Sequence, residues 1–206
     1  MKIAVIPIDN RPICYDLIDD VLAIDEKIKL FLPELKDLGG LTTQSNLDRL
    51  FAFVENLNNV DYLIVSLDTI AYGGLVSSRR CNDSFEEIKK RIEKFKKLAS
   101  KKAKKILAFS SIMRISNNNI NEEEKEYWSQ WGKRIFDWSY YLHKTEVEHT
   151  YNCVHNIIPS EILNDYLNTR KRNFEVNKYY IDLKKQGLID TLVFSKDDCA
   201  EFGLNV

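Results

Sequence analysis

Four apolar runs in this chain stop at residues able to do chemistry. The run at 3–8 ends in Asp9-Asn10-Arg11-Pro12, that at 62–67 in Asp68, that at 106–109 in Ser110-Ser111, and that at 192–195 in Lys196-Asp197-Asp198. Paired carboxylates serve proton transfer, and in particular the hydrolysis of glycosidic bonds. They can also hold a divalent cation. An arginine grips a carboxylate or phosphate with a fork of donors. In parallel α/β sheets ligands bind beyond the carboxyl ends of the strands, so these four endings mark one edge of the molecule as a candidate site.

The fullest of these strings is Ser66-Leu67-Asp68-Thr69-Ile70-Ala71-Tyr72-Gly73-Gly74-Leu75-Val76-Ser77-Ser78-Arg79. An acid closes the strand, Gly73-Gly74 let backbone approach a ligand closely, and Arg79 can bind an anion. Ordinary turn chemistry is the competing account, with Asp68 holding the turn by its own side chain. Neither the phosphate-loop spacing nor the dinucleotide glycine fingerprint is present. Asp9, Asn10 and Arg11 put an acceptor, an amide and a guanidinium in three residues; ligand contact is expected, with Asp9 alternatively capping a helix that starts near Pro12. Asp197 and Asp198, adjacent on an extended segment, point to opposite sides, so one faces a cleft at most. A helix cap is again the alternative. Metal binding is weakly supported: His143, His149 and His155 are six residues apart, which does not align two of them on one helix face. No cofactor is expected.

Positioning these residues takes strands expected at 3–8, 28–32, 61–67, 105–111 and 190–195, and helices at 46–58, 84–102, 121–144 and 160–186, with a further helix between the first two strands. Ser84 with Glu87 and Asn121 with Glu124 have capping-box spacing, and Gly187 stands where a helix C-terminus expects glycine. Ile88, Ile92, Phe95 and Leu98 form the inner stripe of the lysine-rich second helix. Trp131, Ile135, Trp138 and Leu142 form that of the third, leaving other aromatics for a planar ligand or a partner helix. The expected fold is α/β: a mainly parallel five-stranded sheet with helices on both faces, open as it stands, and the N-terminal part of a larger Rossmann-like or (β/α)-barrel-like fold. A single domain over 1–206 is expected, with the remaining C-terminal portion of the same protein as its partner.

The 206 residues are 44% apolar, with 30 Lys and Arg against 31 Asp and Glu. That balance sets up no field for nucleic acid or an anionic membrane, and no apolar run approaches the ~18 residues of a membrane span. Cys14, Cys81, Cys153 and Cys199 are widely spaced, and the start lacks signal-peptide features, so reduced thiols in the cytoplasm are expected.

The strings Ile6-Pro7-Ile8-Asp9-Asn10-Arg11-Pro12, Ser66 through Leu75, Phe109-Ser110-Ser111-Ile112-Met113-Arg114, Ile158-Pro159-Ser160-Glu161 with Arg170-Lys171-Arg172-Asn173, and Ser195-Lys196-Asp197-Asp198 resemble, in order, the motifs of a bacterial domain-of-unknown-function family numbered 4127. The resemblance runs through nearly the whole chain and implies a longer protein, but no activity. On residue type and fold analogy, the leading expectation is acid/base hydrolysis of a small polar substrate of carbohydrate-like or glycosidic type. Asp197 or Asp198 would be acid or base and Asp68 the second carboxylate. Arg11, Arg79 and Arg114 would anchor the substrate beside Ser110 and Ser111, and Tyr72 with Gly73-Gly74 would form the close wall. The alternatives are a non-catalytic domain that binds a sugar or anion, and a purely structural role in which each arginine is neutralised internally and no cavity is left open.

Overall fold

The computed structural model describes residues 1–148, 158–196 and 199–205. Five strands, β1 (Lys2–Ile6), β2 (Lys29–Phe31), β3 (Val60–Ser66), β4 (Ala103–Ser111) and β5 (Thr191–Ser195), form one open sheet in the order β2-β1-β3-β4-β5. Every pair is parallel, with Val5 beside Ile64, Ile64 beside Leu107 and Leu107 beside Thr191 in register. β-branched and apolar residues make these runs, and successive strands are joined by helical connections long enough for parallel crossovers. This is the doubly wound order in which the chain steps outward one way from β1 and then the other way through β3, β4 and β5.

The helices are α1 (Asp16–Leu22), α2 (Leu47–Asn56), α3 (Leu67–Tyr72), α4 (Ser77–Arg80), α5 (Phe85–Lys102), α6 (Trp128–Glu148) and α7 (Ser160–Lys185). Right-handed crossovers put α2, α5 and α7 on one face, where α5 packs against both of the others, and α1 on the opposite face. The expected capping box opens α5, with the Ser84 hydroxyl accepting from Glu87 N–H and the Glu87 carboxylate accepting from Ser84 N–H. Ile88, Ile92 and Phe95 are buried as the stripe requires, against Leu63, Val65, Ile106, Ala108 and, from α7, Val176, Tyr180 and Leu183. The second face is covered unevenly. Ile3 and Val5 are buried there, but Val193 is 53% exposed and α1 buries none of its residues.

A second apolar cluster lies beyond the carboxyl end of β4. Trp128, Ile135 and Trp138 of α6 pack with Ile115, Ile158, Leu163 and Tyr166, while Trp131 and Leu142 are partly buried at its margin. The sequence stripe thus forms core, joined by Trp128. Two expectations fail. The helix expected from residue 121 begins at Trp128, because Glu124 turns to a buried arginine instead of closing a cap. Asp9 does not cap the helix after Pro12, since its carboxylate is taken by Arg11 and α1 starts later with no side-chain cap. Gly187 does end α7, at φ +73°. No described helix is long and apolar enough to cross a membrane.

Candidate functional site

A cavity of about 610 Å³ opens at the carboxyl ends of the strands. Ile8, Asp9 and Arg11 reach it from β1, and Leu75, Val76, Ser78 and Arg79 from the segment after β3. Ser111, Ile112, Met113 and Arg114 come from the end of β4, and Ser195 and Lys196 from the end of β5. It spans the point between β1 and β3 where the direction of winding reverses, the place where doubly wound sheets part their loops into a crevice. Of the four strand endings singled out in the sequence, those after β1, β4 and β5 reach this volume directly, while β3 contributes through residues 75–79 and not through the acid that closes it.

Asp9 is buried, and Arg11 N–H donates to it at 3.0 Å, Arg11 Nε at 2.9 Å and Arg11 Nη2 at 2.7 Å. Burial pushes this carboxyl up, but the Arg11 hydrogen bonds outweigh it and hold Asp9 below its ordinary value. The adjoining Cys14 thiol is pushed up to about 11, first by burial and then by its hydrogen bond to Asp9. Cys14 is therefore a protonated donor at neutral pH rather than a nucleophile.

Arg79 is sealed, its side chain 3% exposed, and Nη1 donates to Glu124 at 2.7 Å. Glu124 also accepts from Ser116 Oγ at 3.2 Å. Glu123, 31% exposed, accepts from Arg114 Nη2 at 2.7 Å and lies 3.4 Å from Arg79 Nη2. Two side chains of α7 fix the backbones that carry these arginines. Arg170 donates to the carbonyls of Met113 at 2.7 Å and Arg114 at 3.2 Å. Arg172 donates to those of Ser78 at 2.6 Å, Cys81 at 2.7 Å and Asp83 at 3.1 Å. Buried carbonyls need such partners, which the loops cannot supply for themselves.

Asp68 does not line the cavity. It is 2% exposed at the start of α3 and accepts from Ser111 N–H at 2.8 Å and Ser110 Oγ at 3.2 Å, tying the end of β3 to that of β4. Burial raises its pKa to about 6, against the pull of those hydrogen bonds. Tyr72 is also inside, 2% exposed, with its hydroxyl lacking a hydrogen-bond partner among the described residues and Arg172 over its ring at 5.4 Å. The sequence 66–79 is thus two short helices, α3 and α4, and Gly73 at φ +82° ends the first. Its carbonyl accepts from Ser45 N–H, and the Gly39 carbonyl accepts from Asn10 N–H. Those bonds hang the loop carrying Gly40 and Leu41 at the cavity margin. Of the expected site residues, Asp9, Arg11, Arg79, Ser111 and Arg114 line the cavity; Asn10, Asp68, Tyr72, Gly73, Gly74 and Ser110 do not. Asp197 and Asp198 lie outside the described residues, as do His149, His155 and Cys153.

Glu123, Glu124, Met113 and the Gly40-Leu41 segment were missed. Gly39-Gly40 is a second glycine pair and was a usable signal; the acidic run at 122–124 looked like the first turn of a helix. Among the described residues no group of three or more His, Cys, Asp or Glu side chains is disposed to hold a metal ion.

Sheet order, crevice and convergent polar side chains define an open, doubly wound α/β protein with a candidate ligand site at its switch point. The chain belongs to the family described as protein of unknown function DUF4127, whose sequence profile matches residues 3–206. No curated protein and no solved structure matches it.

Proposed function

We propose that this chain binds a small polar molecule in the switch-point cavity, in a cytoplasmic setting suited to the free thiols Cys14 and Cys81. The observation that carries this is the convergence of the segments that follow β1, β3, β4 and β5 on one open volume while every arginine singled out keeps an acid partner. Structural neutralisation alone would fill such a space. Four cationic side chains, Arg11, Arg79, Arg114 and Lys196, face two carboxylates, Asp9 and Glu123, around it. The test is ligand-observed NMR with a mixture of sugars, sugar acids, amino acids and phosphate esters. Binders are expected that lose at least about tenfold in affinity on Leu41→Trp, which narrows the mouth, and on Arg11→Ala. Binders indifferent to both changes would sink the proposal.

Carboxylate hydrolysis is the second reading, favoured by Asp9 and Glu123 sharing the cavity. Held ionised by Arg11, Asp9 suits a base or nucleophile rather than a proton donor. Asp68, whose raised pKa would suit a donor, is closed off from the volume. Loss of any hydrolytic activity on Asp9→Asn, with binding kept, would favour this reading over simple binding.

A further inference from the structure

Two of the three arginines singled out in the sequence, Arg79 and Arg114, share one anion, and it is supplied by the chain itself. Glu123 accepts from Arg114 at 2.7 Å and lies 3.4 Å from Arg79, while Arg11, paired with Asp9, lines the same cavity. Its neighbour Glu124 differs in kind. The Arg79–Glu124 pair is 3% and 5% exposed and Ser116 also holds it, so it is a sealed structural contact. The Arg114–Glu123 pair is 27% and 31% exposed and opens on the cavity. Buried pairs resist separation, whereas partly hydrated ones exchange readily with other anions.

We propose that the cavity contains an oxyanion subsite formed by Arg114 and Arg79 Nη2, that its ligand group is a carboxylate or phosphate, and that Glu123 occupies it as a displaceable stand-in. This rests on the reading of the cavity as a ligand site. A ligand oxyanion arriving there replaces one carboxylate by another charge of the same sign, so the arginines stay paired and only the Glu123 side chain must move. The loop can release it, because Glu124 on Arg79 and the Glu122 carbonyl on Arg80 Nη1 at 3.3 Å continue to hold its neighbours. Bidentate guanidinium geometry then selects planar or tetrahedral oxyanions over neutral ligands.

Calorimetric titration of the whole chain with inorganic phosphate and, separately, malonate tests this; the two probes tell phosphate from carboxylate preference. If Glu123 fills the subsite roughly nine-tenths of the time, its removal tightens apparent affinity by about tenfold. Glu123→Ala is therefore expected to bind one probe about tenfold more tightly than the unaltered chain. Adding Arg114→Ala should abolish the gain, and Glu122→Ala, which removes the same charge from the exposed neighbouring position, should leave affinity unchanged. Where Glu123→Ala loosens the loop, seen as a lowered Tm, Glu123→Gln keeps its shape and is expected to show a gain of the same sign. Equal affinity in the unaltered chain and both Glu123 variants would overturn the stand-in and leave the cavity reading intact. An equal gain in Glu122→Ala would reduce the effect to loop charge and overturn it as well. Binding of neither anion by any variant overturns the subsite, while neutral ligands in the NMR experiment still decide the cavity.

Discussion

Asp9 and Asp68 are both buried carboxylates at strand ends, yet their titration moves in opposite directions. Asp9 has a guanidinium in direct contact, whereas Asp68 has only neutral donors and a more distant Arg79. For Asp68 the folded pKa of about 6 lies above the usual carboxylate value, so the folded chain holds its proton more tightly. Its contribution to stability is present at low pH, falls as pH rises from about 4 to about 6, and is flat above that. Asp68→Asn should remove this slope, by ~3 kcal/mol across the window at 1.36 kcal/mol per pKa unit. Urea unfolding at pH 4, 5, 6 and 7 reads it, and identical slopes in the two proteins would show that Asp68 does not titrate as its burial implies. The two classes of ion pair also separate by stability. Glu124→Ala leaves Arg79 buried without its main partner and is expected to cost about 3–5 kcal/mol. Arg11→Ala removes a half-exposed guanidinium and should cost under about 1 kcal/mol. Denaturant midpoints of the two variants lying together would contradict that division.

At the scale of elements, all five strands were legible because apolar β-branched runs leave a period that survives in any context. The capping box at Ser84 and the glycine at 187 were legible for the same reason: their partners are local. Glu124 was misread because its partner, Arg79, is 45 residues away, and a long-range buried pair overrides a local cap. Asp68, Tyr72 and Ser110 carried the right chemical types for a site, but residue type does not say which side of the backbone faces the crevice. A short helix after β3 turns Asp68 and Tyr72 inward, and Ser110 of β4 is buried against Asp68. The sequence also marked Arg170 to Asn173 as a motif without revealing that its arginines grip carbonyls. Arg172→Ala strands the acceptors at Ser78, Cys81 and Asp83 and is expected to cost about 2–3 kcal/mol, since hydrogen bonds from a charged donor are the stronger kind. Faster amide exchange over residues 77–84, with exchange in β1 and β3 unchanged, is the expected signature. A uniform acceleration over the sheet would mean that Arg172 supports global stability and not this segment.

Over the whole molecule, α7 belongs to both apolar clusters. Leu163 and Tyr166 near its start lie in the cluster around α6, and Val176, Tyr180 and Leu183 near its end lie in the core under the sheet. All three tryptophans of the chain, at positions 128, 131 and 138, are in α6, so indole fluorescence reports the first cluster while far-UV circular dichroism reports every element. Because one helix threads both, the two signals should share a single urea midpoint, as a two-state domain requires. A fluorescence transition at lower urea would show that the α6 cluster opens on its own.

With 26 residues, α7 is a rod of roughly 39 Å, and from within a single turn, through Arg170 and Arg172, it holds the backbones that bear Arg79 and Arg114. The gap between those two guanidinium-bearing segments is therefore gauged by a rod and not by the loops themselves. Warming softens loops long before it lengthens a helix, so any anion grip between them should stay nearly constant with temperature and then vanish abruptly when α7 melts. A ligand site built this way would have a calibrated jaw, and its thermal limit would be that of one helix.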